Sequence, residues 1–230
     1  LVPGPTTIPK PILESYMNDY GSGDIEPEYS TLYAETQDRL RQIFITNNDV
    51  AIMTGEGMAA LWGALKSTIR PGDRVLAVAN GIFGHGIGEM AAQIGADVKT
   101  IGFDFDQVAD PSEVAREIRE FKPKMVTAVH CETPSGTLNP IQEIGTLIRD
   151  FDVPLYYVDA VASFGGARLE VDAWSIDLCL GGSQKCLSAP PDMAMVTVSD
   201  RAWTVIEEVK HVGYDALKPW RNTLENKWYP

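Results

Sequence analysis

Apolar and polar positions along the chain follow two alternating patterns. Short apolar runs rich in β-branched residues predict seven buried strands, at residues 49–53, 74–79, 98–103, 125–129, 154–158, 177–181 and 193–198. Between these runs, helical spacing predicts helices at residues 57–68, 84–94, 111–121, 141–150 and 201–209. The helix at 111–121 has a clear start, because Asp110 can cap it and Pro111 suits its first turn.

Strands that alternate with helices predict an α/β fold of three layers, α/β/α, around a mostly parallel seven-stranded sheet. The segment 193–198 follows its neighbour after a loop too short for a helical crossover, so we expect it to run antiparallel. Residues 1–33 are polar, contain Gly and Pro and show little periodicity. They predict either an arm that packs on a partner subunit or a disordered tail.

One lysine has a distinctive setting. Lys185 follows the apolar run Ile176-Asp177-Leu178-Cys179-Leu180 and precedes small residues and Pro190-Pro191, which cannot continue a helix or a central strand. An ammonium in a tight loop at the end of a buried strand is poorly solvated, which favours the neutral, nucleophilic amine. Such an amine can form a Schiff base with an aldehyde such as pyridoxal. The alternative is a surface lysine in a loop.

A carboxylate ends another apolar run. Asp159 follows Leu155-Tyr156-Tyr157-Val158, and a carboxylate at the carboxyl end of a buried strand is costly unless it is paired. Ligands of α/β sheets bind at that edge. A pyridinium nitrogen is a suitable partner, because the carboxylate would keep it protonated and able to accept electrons from a substrate carbanion. The alternative is an N-cap for the segment that follows.

Composition narrows the class of protein. The 230 residues can bury one sizeable core, and a net charge of −13 argues against a nucleic-acid surface. Three cysteines without CxxC spacing are typical of a reduced, cytoplasmic chain that has neither a disulfide framework nor a metal site. No apolar run approaches membrane-spanning length and no signal peptide opens the sequence, so we expect no membrane association.

Five groups of residues, in order along almost the whole chain, resemble the class V aminotransferases of pyridoxal-phosphate fold type I. They are Pro3-Gly4-Pro5, Thr54-Gly55-Glu56-Gly57-Met58, Asn80-Gly81-Ile82-Phe83-Gly84, His130-Cys131-Glu132-Thr133-Pro134-Ser135-Gly136-Thr137, and Asp159 with Lys185. The likeness is greatest to the alanine–glyoxylate/serine–pyruvate and pyridoxamine–pyruvate enzymes. It implies the large domain of that fold over 1–230, an N-terminal arm over about 1–33, a homodimer, and a smaller C-terminal domain that this chain lacks.

The resemblance also implies catalytic roles. Lys185 would form the Schiff base with pyridoxal 5'-phosphate and carry the proton during the reaction, and Asp159 would bind the ring nitrogen. Phe83 would stack on the ring where family members have Trp or Tyr, although a core phenylalanine is the alternative. Because the lysine itself moves the proton, we interpret His130 and His85 as packing or surface residues.

Other positions are implied to bind the cofactor. Thr133 and Ser135 offer hydroxyls to the phenolic oxygen of the ring, with Thr133 favoured; a local turn bond is the alternative for both. Tyr229 resembles a family tyrosine that reaches the phosphate across the dimer interface. The remaining cofactor-binding candidates adjoin the phosphate-site turn or the lysine: Glu56, Gly57, Met58 and Gln184.

Glu56 departs from the alanine–glyoxylate pattern, which has small hydroxyl-bearing residues at this turn. A carboxylate about 4 Å from a phosphate ester would oppose its binding by several kcal/mol at an effective dielectric near 20. Glu56 could point away and leave the amides of Gly57 and Met58 for the phosphate. Otherwise the site takes unphosphorylated pyridoxamine as a substrate, as pyridoxamine–pyruvate aminotransferase does. That enzyme has a glutamate at this position, and the cysteine directly after the lysine, Cys186, is a further similarity to it.

These residues together predict amino-group transfer between a small amino acid or amine and a 2-oxo acid, with pyridoxamine–pyruvate transamination as the alternative. A lyase or desulfurase on the same fold is a further alternative. Desulfurases place a histidine over the ring where this chain has Phe83, which argues against that reading. A non-enzymatic role, in which this portion only folds or dimerises, stays open.

Overall fold

A computed structural model of the chain describes residues 4–227 and 229. The strands are β1 (Asp49–Thr54), β2 (Arg74–Ala79), β3 (Asp97–Gly102), β4 (Met125–Val129), β5 (Leu155–Asp159), β6 (Leu178–Gly182) and β7 (Met193–Val198). The helices are α1 (Lys10–Ser15), α2 (Pro27–Phe44), α3 (Gly57–Thr68), α4 (Ile82–Gln93), α5 (Pro111–Phe121), α6 (Ile141–Asp150), α7 (Asp200–Val209) and α8 (Thr223–Asn226), with a 3-10 turn at Lys218–Trp220.

The seven strands form one sheet in the order β1-β7-β6-β5-β4-β2-β3. The pairs from β6 through β5, β4 and β2 to β3 are parallel, whereas β7 runs antiparallel to both β6 and β1. The antiparallel direction predicted for 193–198 is therefore confirmed. A short loop can only return the chain beside β6 in the opposite direction.

Two apolar layers enclose the sheet. Alternate residues of β5 show the division, because Leu155 and Tyr157 pack with α3, α4 and α7, while Tyr156 and Val158 pack with α5 and α6 on the other face. This alternation follows from the two-residue period of a strand. The structure confirms the three-layer α/β/α fold that the sequence predicts.

The predicted element boundaries are accurate to within a few residues. The cap at Asp110 is present, since its carboxylate accepts a hydrogen bond from the Ser112 amide at 2.8 Å. Helix α4 begins two residues earlier than expected, which places Phe83 in its first turn. Among the described residues, no helix is long and apolar enough to cross a membrane.

Helix α2 was not predicted, and its first turns fall within the segment assigned to an arm. Pro27 occupies its first turn, and four buried residues lie at spacings of four, three and four: Tyr33, Gln37, Leu40 and Phe44. The buried Gln37 interrupts this stripe in the sequence, but its side chain donates to the Val50 carbonyl at 2.6 Å. Residues 4–26 precede α2, and the part of them nearest the chain start contacts the Lys185 loop.

Candidate functional site

The candidate site lies where the parallel strands end. Asp159 is the last residue of β5, and it pairs in register with Val129 of β4 and Leu180 of β6. Lys185 follows β6 after a two-residue gap. The sheet therefore brings the two residues that the sequence singled out to the same edge, which is where α/β sheets bind ligands.

Asp159 is buried, with 4% of its surface exposed. One carboxylate oxygen, Oδ1, accepts a hydrogen bond from the Val161 amide at 2.9 Å, but no helix lies between Asp159 and β6, so Asp159 is not the helix N-cap that the sequence left as the alternative. Burial nevertheless raises the pKa of Asp159 to about 7, and the nearby carboxylates of Glu132 and Glu56 act in the same direction. The positive charge of Lys185 lowers this pKa but does not offset burial. Asp159 thus lacks sufficient stabilisation of its charged form.

Lys185 is buried as well, with 8% of its surface exposed, so it is not a surface lysine. Its Nζ donates a hydrogen bond to the Gly4 carbonyl at 3.1 Å. The flanking loop carries small residues that allow the main chain to turn tightly between β6 and β7, and Ser183 Oγ donates to the Pro190 carbonyl within it. Lys185 and Asp159 are thus both buried at the same edge of the sheet, and the charge of Lys185 is near enough to lower the pKa of Asp159.

Glu56 turns inward onto the start of α3. Its Oε1 accepts from the Met58 amide at 3.0 Å, and its Oε2 accepts from Gln184 Nε2 at 3.2 Å. The option that Glu56 points away and leaves the Met58 amide for a phosphate is therefore not the arrangement in this structure. The side-chain amide oxygen of Gln184, Oε1, is buried and has no partner among the described residues.

Gly57 and Met58 have different surroundings. Gly57 is buried, and a Cβ there would lie 2.9 Å from a methyl carbon of Val161, so its lack of a side chain lets α3 approach the loop after Asp159. The Met58 side chain is partly exposed and reaches the site through its backbone amide. The turn at 55–58 therefore adjoins the loop after Asp159 on one side and Gln184 on the other.

Phe83 is half-buried and packs against the apolar layer that contains α4. Its amide and that of Gly84 donate to the two carboxylate oxygens of Glu132, at 3.1 and 3.2 Å. These two hydrogen bonds cap the start of α4, whose N-cap residue, Gly81, has no side chain to do so. Glu132 is fully buried. Glu132 is a site residue that the sequence pattern does not reveal. The one sequence feature that points to such a residue is Gly81 at the start of α4. A helix that begins at glycine lacks a capping side chain of its own and needs one from elsewhere in the chain.

The hydroxyl candidates differ. Ser135 Oγ accepts from the Thr137 amide at 3.2 Å, which is the local turn bond considered from the sequence. Thr133 is half-buried beside Glu132, and its hydroxyl has no hydrogen bond to the described residues.

His130 is buried, and its ring nitrogen Nδ1 lies 3.0 Å from Ser163 Oγ. Burial lowers the pKa of His130 to about 4. A neutral, packed histidine agrees with the structural role expected for it.

Tyr229 is not brought to the lysine within this chain. Its hydroxyl lies 3.1 Å from Ser30 Oγ, and its ring packs edge-on against Tyr29 and Tyr33 of α2, with centroid distances of 4.9 and 5.1 Å. The contacts of Tyr229 in the described chain are thus those of an anchor on α2. Its expected reach to a phosphate concerns a partner subunit and stays a prediction.

Several known proteins are similar to this chain in sequence. The class V aminotransferase family model matches residues 2–219. The chain is 38% identical to (S)-ureidoglycine–glyoxylate transaminase of Bacillus subtilis, over 92% of this chain and 51% of that protein. It is 36% identical to pyridoxamine–pyruvate transaminase of Mesorhizobium japonicum, over 78% of this chain and 46% of that protein.

A solved structure agrees with these matches. The alanine–glyoxylate aminotransferase of Nostoc superposes with a TM-score of 0.92 at 29% identity, and the match covers 100% of this chain and 62% of the Nostoc chain. The chain spans about half the length of the curated relatives it matches. From the match over residues 2–219, together with these relatives, the chain belongs to the class V aminotransferase family.

Proposed function

We propose that the full-length protein is a pyridoxal-phosphate-dependent transaminase of the alanine–glyoxylate/serine–pyruvate type, which moves an amino group between a small amino acid or amine and a 2-oxo acid. One observation carries the proposal: a buried carboxylate and a buried lysine, Asp159 and Lys185, end or follow two neighbouring parallel strands at the same edge of the sheet. The family membership of the chain supports the same reaction class.

The residues at this edge fit the ring of the cofactor. Burial without enough positive charge raises the pKa of Asp159 to about 7, and a protonated pyridine nitrogen would supply the missing cation. Lys185 offers a primary amine to an aldehyde, and the half-buried Phe83 offers an aromatic face. When bound, pyridoxal supplies an electron sink for the carbanion that forms as a substrate proton leaves.

The chain's own residues then perform the remaining tasks. Lys185 would hold the cofactor through its amine and would move the proton at the substrate carbon. Asp159 would keep the ring nitrogen charged, and Thr133 would offer a hydroxyl to the ring. No histidine is required, which agrees with the low pKa and packed position of His130.

The environment of Glu56 favours a second candidate, the transfer between unphosphorylated pyridoxamine and pyruvate. Its carboxylate already accepts from the Met58 amide and from Gln184. A phosphate at this helix start would have to displace it or face its charge. A neutral hydroxymethyl group could instead donate a hydrogen bond to it. One of the relatives, at 36% identity, is named for this reaction.

The proposal extends to the assembly and the compartment. We propose a cytoplasmic homodimer in which Tyr229 of one subunit contributes to the cofactor phosphate of the other. The three cysteines are free, which is typical of a reducing compartment. Small amino acids or amines and 2-oxo acids are the proposed substrates.

Covalent trapping tests the role of Lys185. The full-length protein is incubated with pyridoxal phosphate or pyridoxal, reduced with borohydride, digested and mapped. We expect the pyridoxyl group on Lys185, its loss in Lys185→Ala, and no rescue in Lys185→Arg, because a guanidinium stays protonated. Lys210→Ala, at an exposed helix end, should label as the wild type does. A pyridoxyl group mapped to another lysine would overturn the assignment.

A further inference from the structure

The segment that precedes α1 lies across the loop that carries Lys185. The amide of Thr6 donates to the Gln184 carbonyl at 3.2 Å. Its hydroxyl donates to the Lys185 carbonyl at 2.9 Å and lies 3.2 Å from Ser188 Oγ. Thr6 therefore contacts residues on both sides of the lysine, across about 180 residues of sequence. The transaminase chemistry described above assigns no part to this segment.

Gly4 meets the side chain of the same lysine. Its carbonyl accepts the hydrogen bond from Lys185 Nζ at 3.1 Å. A Cβ at Gly4 would lie 2.9 Å from Lys185 Cδ, which is closer than real Cβ atoms come. Its φ of +141° is also one that residues with a side chain rarely adopt. The absence of a side chain at position 4 thus leaves room for the lysine stem.

The position of a lysine amine depends on its main chain and on the packing of its flexible stem. The loop between β6 and β7 is irregular, and internal bonds such as Ser188 N to the Lys185 carbonyl at 2.9 Å hold only part of it. We propose that residues 4–6 position the reactive lysine: Thr6 holds the main chain of its loop, and Gly4 admits its stem and orients its amine. This inference rests on the proposed role of Lys185.

The side chain of Thr6 is exposed, so its replacement should leave the apolar core intact. Thr6→Val removes the hydroxyl at nearly constant size, and Thr6→Ser keeps it. The neighbouring Thr7 is also exposed, and its side chain makes no hydrogen bond to the described residues, so Thr7→Val is a matched control.

The test measures the rate at which pyridoxal phosphate becomes bound to Lys185 in the full-length protein. The lysine amine adds to the aldehyde carbon, one water leaves, and borohydride then supplies the hydride, with a solvent proton, that makes the linkage permanent. The rate is followed by absorbance and by the mapped yield at Lys185. Transaminase activity is not needed, and a thermal midpoint is recorded for each variant.

We expect Thr6→Val to slow this rate by about 2- to 10-fold, the change that the loss of one hydrogen bond predicts. Thr6→Ser and Thr7→Val should match the wild type, and all three should keep its thermal midpoint. Gly4→Ala should slow the rate by at least about tenfold, because backbone strain adds to displacement of the stem. A purely structural role for Thr6 would change the midpoint and leave the rate unaltered.

Two outcomes separate this inference from the proposed function. If the wild type is not labelled at Lys185, the proposed function itself fails. If the wild type is labelled there and Thr6→Val reacts as fast as Thr6→Ser, the positioning role is wrong while the proposed function stands.

Discussion

The ionisation of Asp159 makes the stability of the ligand-free protein depend on pH. The pKa of Asp159 is raised from 3.8 to about 7, so the fold favours the protonated acid. The stability that this preference contributes is complete below about pH 4 and is lost as the pH rises through about 7, at about 1.4 kcal/mol per pKa unit. A bound cation at the ring-nitrogen position would stabilise the ionised carboxylate and so lower this pKa.

Asp159→Asn isolates this effect, because the amide does not titrate. Between about pH 4 and pH 7, we expect the free energy of unfolding of the ligand-free wild type to fall relative to that of the variant. Denaturant titrations across this range measure the difference. Turnover of the variant should be greatly reduced, since the ring nitrogen loses its anion. A variant with wild-type turnover would leave Asp159 with a structural role alone, the hydrogen bond that it accepts from the Val161 amide.

Glu56 distinguishes the two proposed reactions. Glu56→Ser keeps an N-cap for α3, because serine is also a good capping residue, and it removes a charge beside the proposed phosphate site. If the natural ligand is unphosphorylated, the variant should bind pyridoxal phosphate about tenfold more tightly for each 1.4 kcal/mol of repulsion removed. It should bind pyridoxamine more weakly.

Titration of both ligands against the wild type and the variant gives the answer, with the exposed Glu89→Ser as the charge-matched control. Tight binding of pyridoxal phosphate by the wild type, unchanged in Glu56→Ser, would exclude the phosphate-free reaction. It would leave a transaminase of the alanine–glyoxylate type.

Glu132 acts at the scale of the elements, because it joins the loop after β4 to the start of α4. Its two oxygens hold the amides of Phe83 and Gly84. A Cβ at Gly81 would lie 2.2 Å from Glu132 Cγ, so the adjacent turn must be glycine for the carboxylate to reach the helix. One buried side chain thus fixes the direction of α4 and the position of Phe83.

Glu132→Ala should destabilise the protein by about 1–3 kcal/mol, because two buried amides lose their partner. Glu132→Gln should cost less, since its single carbonyl oxygen can serve only one of them. Urea unfolding measures both, and Glu89→Ala on the exposed side of the same helix is the control. Wild-type stability of Glu132→Ala would show that water satisfies the start of α4.

At the scale of the whole molecule, Tyr229 has two alternative roles. Within the chain it anchors to α2 through Ser30 and two tyrosine rings and lines a cavity of about 330 Å³. In the proposed homodimer it reaches the phosphate of the partner subunit. The first role affects stability, and the second affects a site on another chain.

Subunit complementation separates these roles. Lys185→Ala and Tyr229→Ala are each expressed as the full-length protein and then co-expressed with different tags. If Tyr229 acts across the interface, a mixed dimer contains one site with both native residues, and activity should return in the mixed fraction alone. If Tyr229 serves only its own chain, the Tyr229→Ala substitution should lower the thermal midpoint. Mixing should then restore no activity beyond that of the Tyr229→Ala subunit.

The amino-acid sequence alone determined the layers of the fold and the two residues, Asp159 and Lys185, that meet at the sheet edge. Short continuous apolar runs and helical spacing of period 3.6 are local patterns, so the seven strands, the antiparallel β7 and the three layers could be predicted from them. Lys185 and Asp159 could be found in the same way, because each follows a buried strand and parallel strands end at a common edge. Helix α2 was missed because Gln37 interrupts its apolar stripe, and only the Val50 carbonyl of another element satisfies that side chain.

The tertiary structure decided which groups meet across long separations. It turned Glu56 onto the Met58 amide and Gln184, brought Glu132 to the start of α4, and laid Thr6 across the lysine loop. It also raised the pKa of Asp159, because burial and the field of neighbouring charges depend on residues far apart in the chain. A hydrogen bond needs partners about 3 Å apart, and such a distance between residues remote in sequence is a property of the folded chain alone.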